Sequence, residues 1–103
     1  MNTTQFKYME LNNEQLLLLQ EYAAALMSIT EIAILMDIPP VARTQFKVMC
    51  TKDEDSPLYE AFHKGRLTTK LELRQNIIKL AKAGSPAAEP LAIKFINEQL
   101  IDK

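Results

Sequence analysis

Two glycines, Gly65 and Gly84, are all that this chain of 103 residues contains. That excludes a glycine-rich phosphate loop and the nucleotide chemistry that depends on one. One cysteine, Cys50, excludes a disulfide framework within the chain and suits a reducing compartment. One histidine, His63, is too few for His/Cys metal spacing and has no second group for a catalytic pair. A nucleophile elbow is absent as well. Asp53, Glu54 and Asp55 lack the glycine and the spaced ligands of a calcium loop. The expectation is a chain with no active site, no metal and no cofactor. A formal net charge of −1 removes the overall cationic character of a strong non-specific nucleic-acid binder. No apolar run reaches the length of a membrane span and no signal-peptide pattern opens the chain, so a soluble cytoplasmic protein without a membrane partner is expected.

What is present favours helix. Leu, Ala, Ile, Met, Glu, Lys and Gln dominate, valine is scarce, and no alternating strand pattern stands out. The chain reads as all-α, with an N-terminal arm and helical domain over 1–52 and a helical hairpin over 56–103.

The stretch Ser28 to Cys50 organises the rest. Ser28 is placed to cap a helix, with Glu31 three residues on as its capping-box carboxylate. Ile29, Ile32, Ala33 and Met36 recur at helical spacing, and Ala33 is small where a partner helix must cross. Asp37 ends the apolar run, Ile38 plugs the corner, and Pro39 and Pro40 stop one helix and start the next. The second helix, from Pro40 to about Cys50, buries Ala42, Phe46, Met49 and Cys50. Its opposite side carries Pro40, Arg43, Thr44, Lys47 and Thr51. A short polar and cationic helix after a sharp corner is the layout of a helix-turn-helix DNA reader, although the glycine often found in that corner is missing. The expected DNA-contacting residues are Arg43, Thr44, Gln45, Lys47, Thr51 and Lys52, with Gln45 nearest the buried side.

Around this stretch, Met1 to Leu11 reads as an arm in which Phe6, Tyr8 and Leu11 pack late. A helix capped by Asn12 or Asn13, with Gln15 in the capping-box position relative to Asn12, runs from about Asn13 to Met27, apolar on every side at Leu16 to Leu19, so that it packs on more than one neighbour or on another subunit. Ser56-Pro57 starts a long helix to Ala83, closed by Gly84, with Gly65 as a weak point where it bends. Ser85-Pro86 starts a last helix to Ile101, distorted by Pro90. The short link makes the two an antiparallel pair.

The long helix has two apolar stripes, Leu67, Leu71 and Ile78 on one side, and Phe62, Leu73, Ile77 and Leu80 on the other. Between them lie Arg66, Lys70 and Arg74, as secondary phosphate or interface contacts. Two stripes imply two partners. The expected oligomer interface is Leu67, Leu71, Leu73, Ile77, Ile78 and Leu80 with Phe95 and Ile96 of the last helix, giving a homo-oligomer. From Lys64 to Lys82 six cations face one anion, whereas Met1 to Thr51 has three cations and five anions. The positive band therefore lies on the hairpin and not on the DNA-reading stretch.

The order of features resembles the phage-type helix-turn-helix proteins that include small terminase subunits. "EIAILMDIPP" precedes a short second helix and a charged loop; then come Phe62, Gly65-Arg66, Leu73-Arg74 and an Ala81-to-Gly84 turn before an amphipathic helix. The likeness spans about Ser28 to Gln99. It implies a role in viral DNA packaging in the host cytoplasm. Subunits would assemble as a ring, bind double-stranded DNA through Arg43, Thr44 and Lys47, and hand it to a large terminase ATPase-nuclease. Two further readings stand beside it: a dimeric transcriptional regulator, and a helical adaptor that binds no DNA.

Overall fold

The computed structural model describes residues 9–101, with side chains as far as Gln99. These residues form five α-helices and a 3₁₀ turn, with no strand among them: α1 (Asn13–Ala24), α2 (Ile29–Leu35), the 3₁₀ turn Pro40–Ala42, α3 (Arg43–Thr51), α4 (Pro57–Lys82) and α5 (Glu89–Ile101). The chain is all-α, as its composition implies. Of the expected arm, Phe6 and Tyr8 lie outside the described residues. Met9 and Leu11 are half-buried against the core, and the Met9 N–H meets the Met49 sulfur at 3.3 Å.

Local hydrogen bonds set the start of α1 and α2. The Asn12 side chain accepts from the Gln15 N–H at 2.8 Å, and Gln15 Oε1 accepts from the Asn12 N–H at 2.9 Å. Ser28 Oγ and Glu31 Oε1 make the same reciprocal pair at 3.1 and 2.9 Å. Helix α1 ends at Ala24, short of the expected Met27, because Leu26 turns to φ 63. The Leu26 N–H then bonds the Ala23 carbonyl and the Met27 N–H bonds that of Tyr22, a Schellman closure. A leucine in this left-handed region costs about 1–2 kcal/mol.

Helix α2 ends the same way. Asp37 takes φ 59, its N–H bonds Ile34, and the Ile38 N–H bonds Ala33. The stop therefore belongs to Asp37, and the prolines follow it. Aspartate tolerates this conformation better than most residues and stands in for the missing glycine. Ile38 is buried, as expected. After Pro39 the chain makes a 3₁₀ turn, so α3 begins at Arg43 and not at Pro40.

The core of the first compact unit gathers Leu19, Ala23, Ile32, Ala33, Ile38, Phe46, Met49 and Cys50 with Leu58, Ala61 and Phe62 of α4. Those three α4 residues carry the unit as far as Thr69, beyond the division at 52–56 that the charged loop implies. Gly65 does not interrupt α4. It is buried in continuous helix, and a Cβ there would lie inside contact distance of the Gln20 carbonyl oxygen, 2.9 Å from Ala23 Cβ and 3.0 Å from Ala24 N. Glycine is needed because α1 and α4 cross backbone to backbone. Beside it, the Thr69 hydroxyl donates to the Ala24 carbonyl, and Arg66 Nη2 donates to the Met27 carbonyl at 2.9 Å. The first bond satisfies a carbonyl that the end of α1 leaves open, and the second satisfies one in the turn that follows α1.

The second unit begins at Lys70. Gly84, at φ 93, closes α4: its N–H bonds Ala81 and the Ser85 N–H bonds Leu80. Helix α5 starts at Glu89 and not at Pro86. A helix from Pro86 would ask Pro90 for an N–H that proline lacks. Ser85 caps the intervening turn, its Oγ accepting from the Ala88 N–H at 3.3 Å. Arg74 joins α4 to α5 through a 2.8 Å ion pair with Glu98, its guanidinium 4.1 Å from the centre of the Phe95 ring.

Candidate nucleic-acid interface

The corner between α2 and α3 fixes which side of α3 is presented. Phe46 and Cys50 are fully buried and Met49 nearly so, which turns Thr44, Lys47, Val48 and Thr51 outward, with Lys52 just beyond. Four of the six residues expected to meet DNA are thus exposed. The Thr51 hydroxyl donates to the Lys47 carbonyl at 2.6 Å, leaving its oxygen lone pairs as the group it offers outward.

Two of the six are committed differently. Arg43 is half-buried, and its Nε–H donates to the Ile38 carbonyl at 3.0 Å, so the guanidinium straps the corner. Gln45 is turned inward, and its Nε2 is buried without a hydrogen-bond partner among the described residues. Helical projection puts it at the edge of the buried face, and only packing decides such an edge position.

Val41 and Val48 were not among the expected contacts. Val41, in the 3₁₀ turn, is 85% exposed, and Val48 lies in the open as well. With Thr44, Lys47 and Thr51 they share a sector of roughly 120° on a helical projection. A search for polar residues passes over them, although the same projection that selects Thr44 would find them.

The row Arg66, Lys70 and Arg74 is not three free cations. In the first unit Arg66 is tied to Met27 and its guanidinium lies 4.5 Å from the centre of the Phe62 ring. In the second unit Arg74 is held by Glu98 and Phe95. That hydrogen bond holds the Glu98 carboxyl below the usual carboxylate range. Lys70 is exposed, with neither hydrogen bond nor ion pair among the described residues. His63 is half-buried against Tyr59 at 4.1 Å and edge-on to Phe62 at 5.3 Å. Cys50 fills the core, and burial pushes its thiol up to about 12.

Of the expected interface residues, Leu67, Leu71, Leu73, Ile78, Leu80 and Ile96 are exposed, while Ile77 and Phe95 are half-buried. Helix α5 adds Leu91 and Ile93 to the open apolar surface. In the second unit, α4 and α5 border a groove of about 780 Å³ whose lining includes Ile78, Ile93 and Ile96, with Lys70 and Lys82 on α4 and Glu89 on α5. Exposed leucines also occur on α1 (Leu17, Leu18), and α2 exposes Ile34 and Leu35.

No family model, curated protein or solved structure matches the chain.

Proposed function

We propose that this chain is a non-enzymatic DNA-binding protein of the small terminase type, acting on double-stranded DNA in viral packaging in the host cytoplasm. In this reading α2, the corner and α3 are a helix-turn-helix. Helices α4 and α5 are an antiparallel hairpin that joins copies into a homo-oligomer, a ring in the packaging role, which passes DNA to a large terminase ATPase-nuclease. The observation that carries the reading is the corner. Asp37 supplies the left-handed residue that glycine usually gives a helix-turn-helix, Ile38 plugs it, and α3 leaves it with Thr44, Lys47 and Thr51 outward. The open leucines of α4 and α5 support association, since apolar area of that extent on a small chain marks an interface.

Lys47 and Lys52 are the phosphate contacts in this reading, and Thr44 with Val41 and Val48 faces the bases. Exposed valines suit the thymine methyl group in the major groove. Weak contacts by one copy gain from repetition in an assembly. The test is a fluorescence anisotropy titration of duplex DNA over a range of salt. The Lys47→Ala, Lys52→Ala double variant lowers affinity evenly across sequences and reduces the salt slope by about 2. Unchanged affinity and slope would remove α3 as the DNA-binding face.

The acidic balance of residues 1–51 favours a second reading, a helical adaptor without DNA binding. It predicts that the unaltered chain binds no duplex even at low ionic strength.

A further inference from the structure

We propose that the groove between α4 and α5 seats helix α1 of a second copy of this chain, so that copies join head to tail. This rests on the oligomeric part of the function proposed above and names the surface that meets the hairpin. The outward face of α1 consists of Glu14, Leu17, Leu18 and Glu21 at i, i+3, i+4 and i+7, all exposed. It is an apolar ridge with a carboxylate at each end. The groove offers the complement: Ile78, Ile93 and Ile96 among its lining, and the ammonium groups of Lys70 and Lys82. At ~1.5 Å rise per residue, the two carboxylates stand about 10 Å apart and the two lysine backbones about 18 Å apart. Long lysine stems lie along apolar surface and carry their charges inward over that difference.

Net charge points the same way. Up to Thr69 the chain has six cations and nine anions, and from Lys70 onward six cations and four anions. Pairing the groove with its own copy would bring together two sets of the same cations, Lys70, Arg74 and Lys82, which outnumber the groove's carboxylates, and like charges are costly at an interface. Pairing it with α1 sets Glu14 and Glu21 toward Lys70 and Lys82, with two groove carboxylates as like charges: Glu89, and Glu98, which Arg74 already pairs. Such a contact uses two different surfaces, so it propagates from copy to copy and closes as a ring where the rotation allows.

The test is native mass spectrometry with light scattering on the full chain. The unaltered chain is expected to assemble. Glu14→Lys with Glu21→Lys, and separately Lys70→Glu with Lys82→Glu, should each lose assembly while keeping their helical circular dichroism, because all four side chains are exposed. An equimolar mixture of the two variants should assemble again, since each then offers the charge the other lacks. Leu17→Ser, which leaves charge unchanged, should weaken association at least tenfold. A monomeric unaltered chain overturns both this contact and the oligomeric reading. An assembled chain whose mass ignores the α1 changes, or a mixture that stays dissociated, overturns the head-to-tail contact alone. DNA binding, read separately by anisotropy, bears on neither result.

Discussion

Replacing Gly65 by alanine sets two effects of opposite sign against each other. In an exposed helix interior the change stabilises by about 0.8–1 kcal/mol, because alanine loses less backbone freedom on folding. Here the added methyl points at α1. Two of the three nearest atoms, the Gln20 carbonyl oxygen and the Ala24 nitrogen, are backbone, and the third is the stub of Ala23. None of them is the far end of a flexible side chain, so the helices must separate. Overpacking of this kind typically costs about 1–3 kcal/mol, and a contact with rigid backbone belongs at or above the top of that range. The balance is a net loss of roughly 2 kcal/mol. For a domain of this size that lowers the melting temperature by roughly 8–16 °C. The neighbouring bonds from Thr69 to Ala24 and from Arg66 to Met27 loosen with it. Urea and thermal unfolding, followed by circular dichroism at 222 nm on Gly65→Ala and the parent chain, measure the difference. An unchanged or higher melting temperature would refute the close crossing and return Gly65 to the role of a weak point in a long helix.

Other outcomes follow from the same contacts. Ser28→Ala removes the side-chain acceptor of the Glu31 N–H at the start of the seven-residue α2, and should cost about 1 kcal/mol in a urea titration. The Cys50 thiol is raised from 9.0 to about 12 in the folded chain, so the unfolded thiol ionises first. Its contribution to stability is therefore intact below pH 9.0 and falls as pH rises toward about 12, and Cys50→Ala should flatten that part of the stability–pH curve. At neutral pH the folded chain should resist a thiol reagent until it unfolds. Arg74→Ala removes the partner that lowers the Glu98 carboxyl, and an NMR titration should find it back near the ordinary glutamate value, with little change in stability because the pair is partly exposed.

Helix caps made by a bond between near neighbours were legible in the sequence, whereas the end of α1 at Leu26 and the late starts of α3 and α5 fell elsewhere than expected. The pairs Asn12 with Gln15 and Ser28 with Glu31 are bonds across three residues, and Gly84 closes α4 through its own backbone freedom. The buried set on α3 followed from helical periodicity alone, as did the all-α composition. The outward face of α3 was legible only in part: periodicity selected Thr44, Lys47 and Thr51, and polarity hid Val41 and Val48. Tertiary structure decided the remainder. That Gly65 is a crossing point, that Thr69 caps the end of α1 and Arg66 the turn after it, and that the first unit reaches Thr69 all rest on contacts between residues some 40 positions apart. No local pattern encodes those contacts, because their free energy depends on two helices meeting. Gln45 turning inward and Arg43 strapping the corner have the same origin: periodicity leaves an edge position open, and packing closes it.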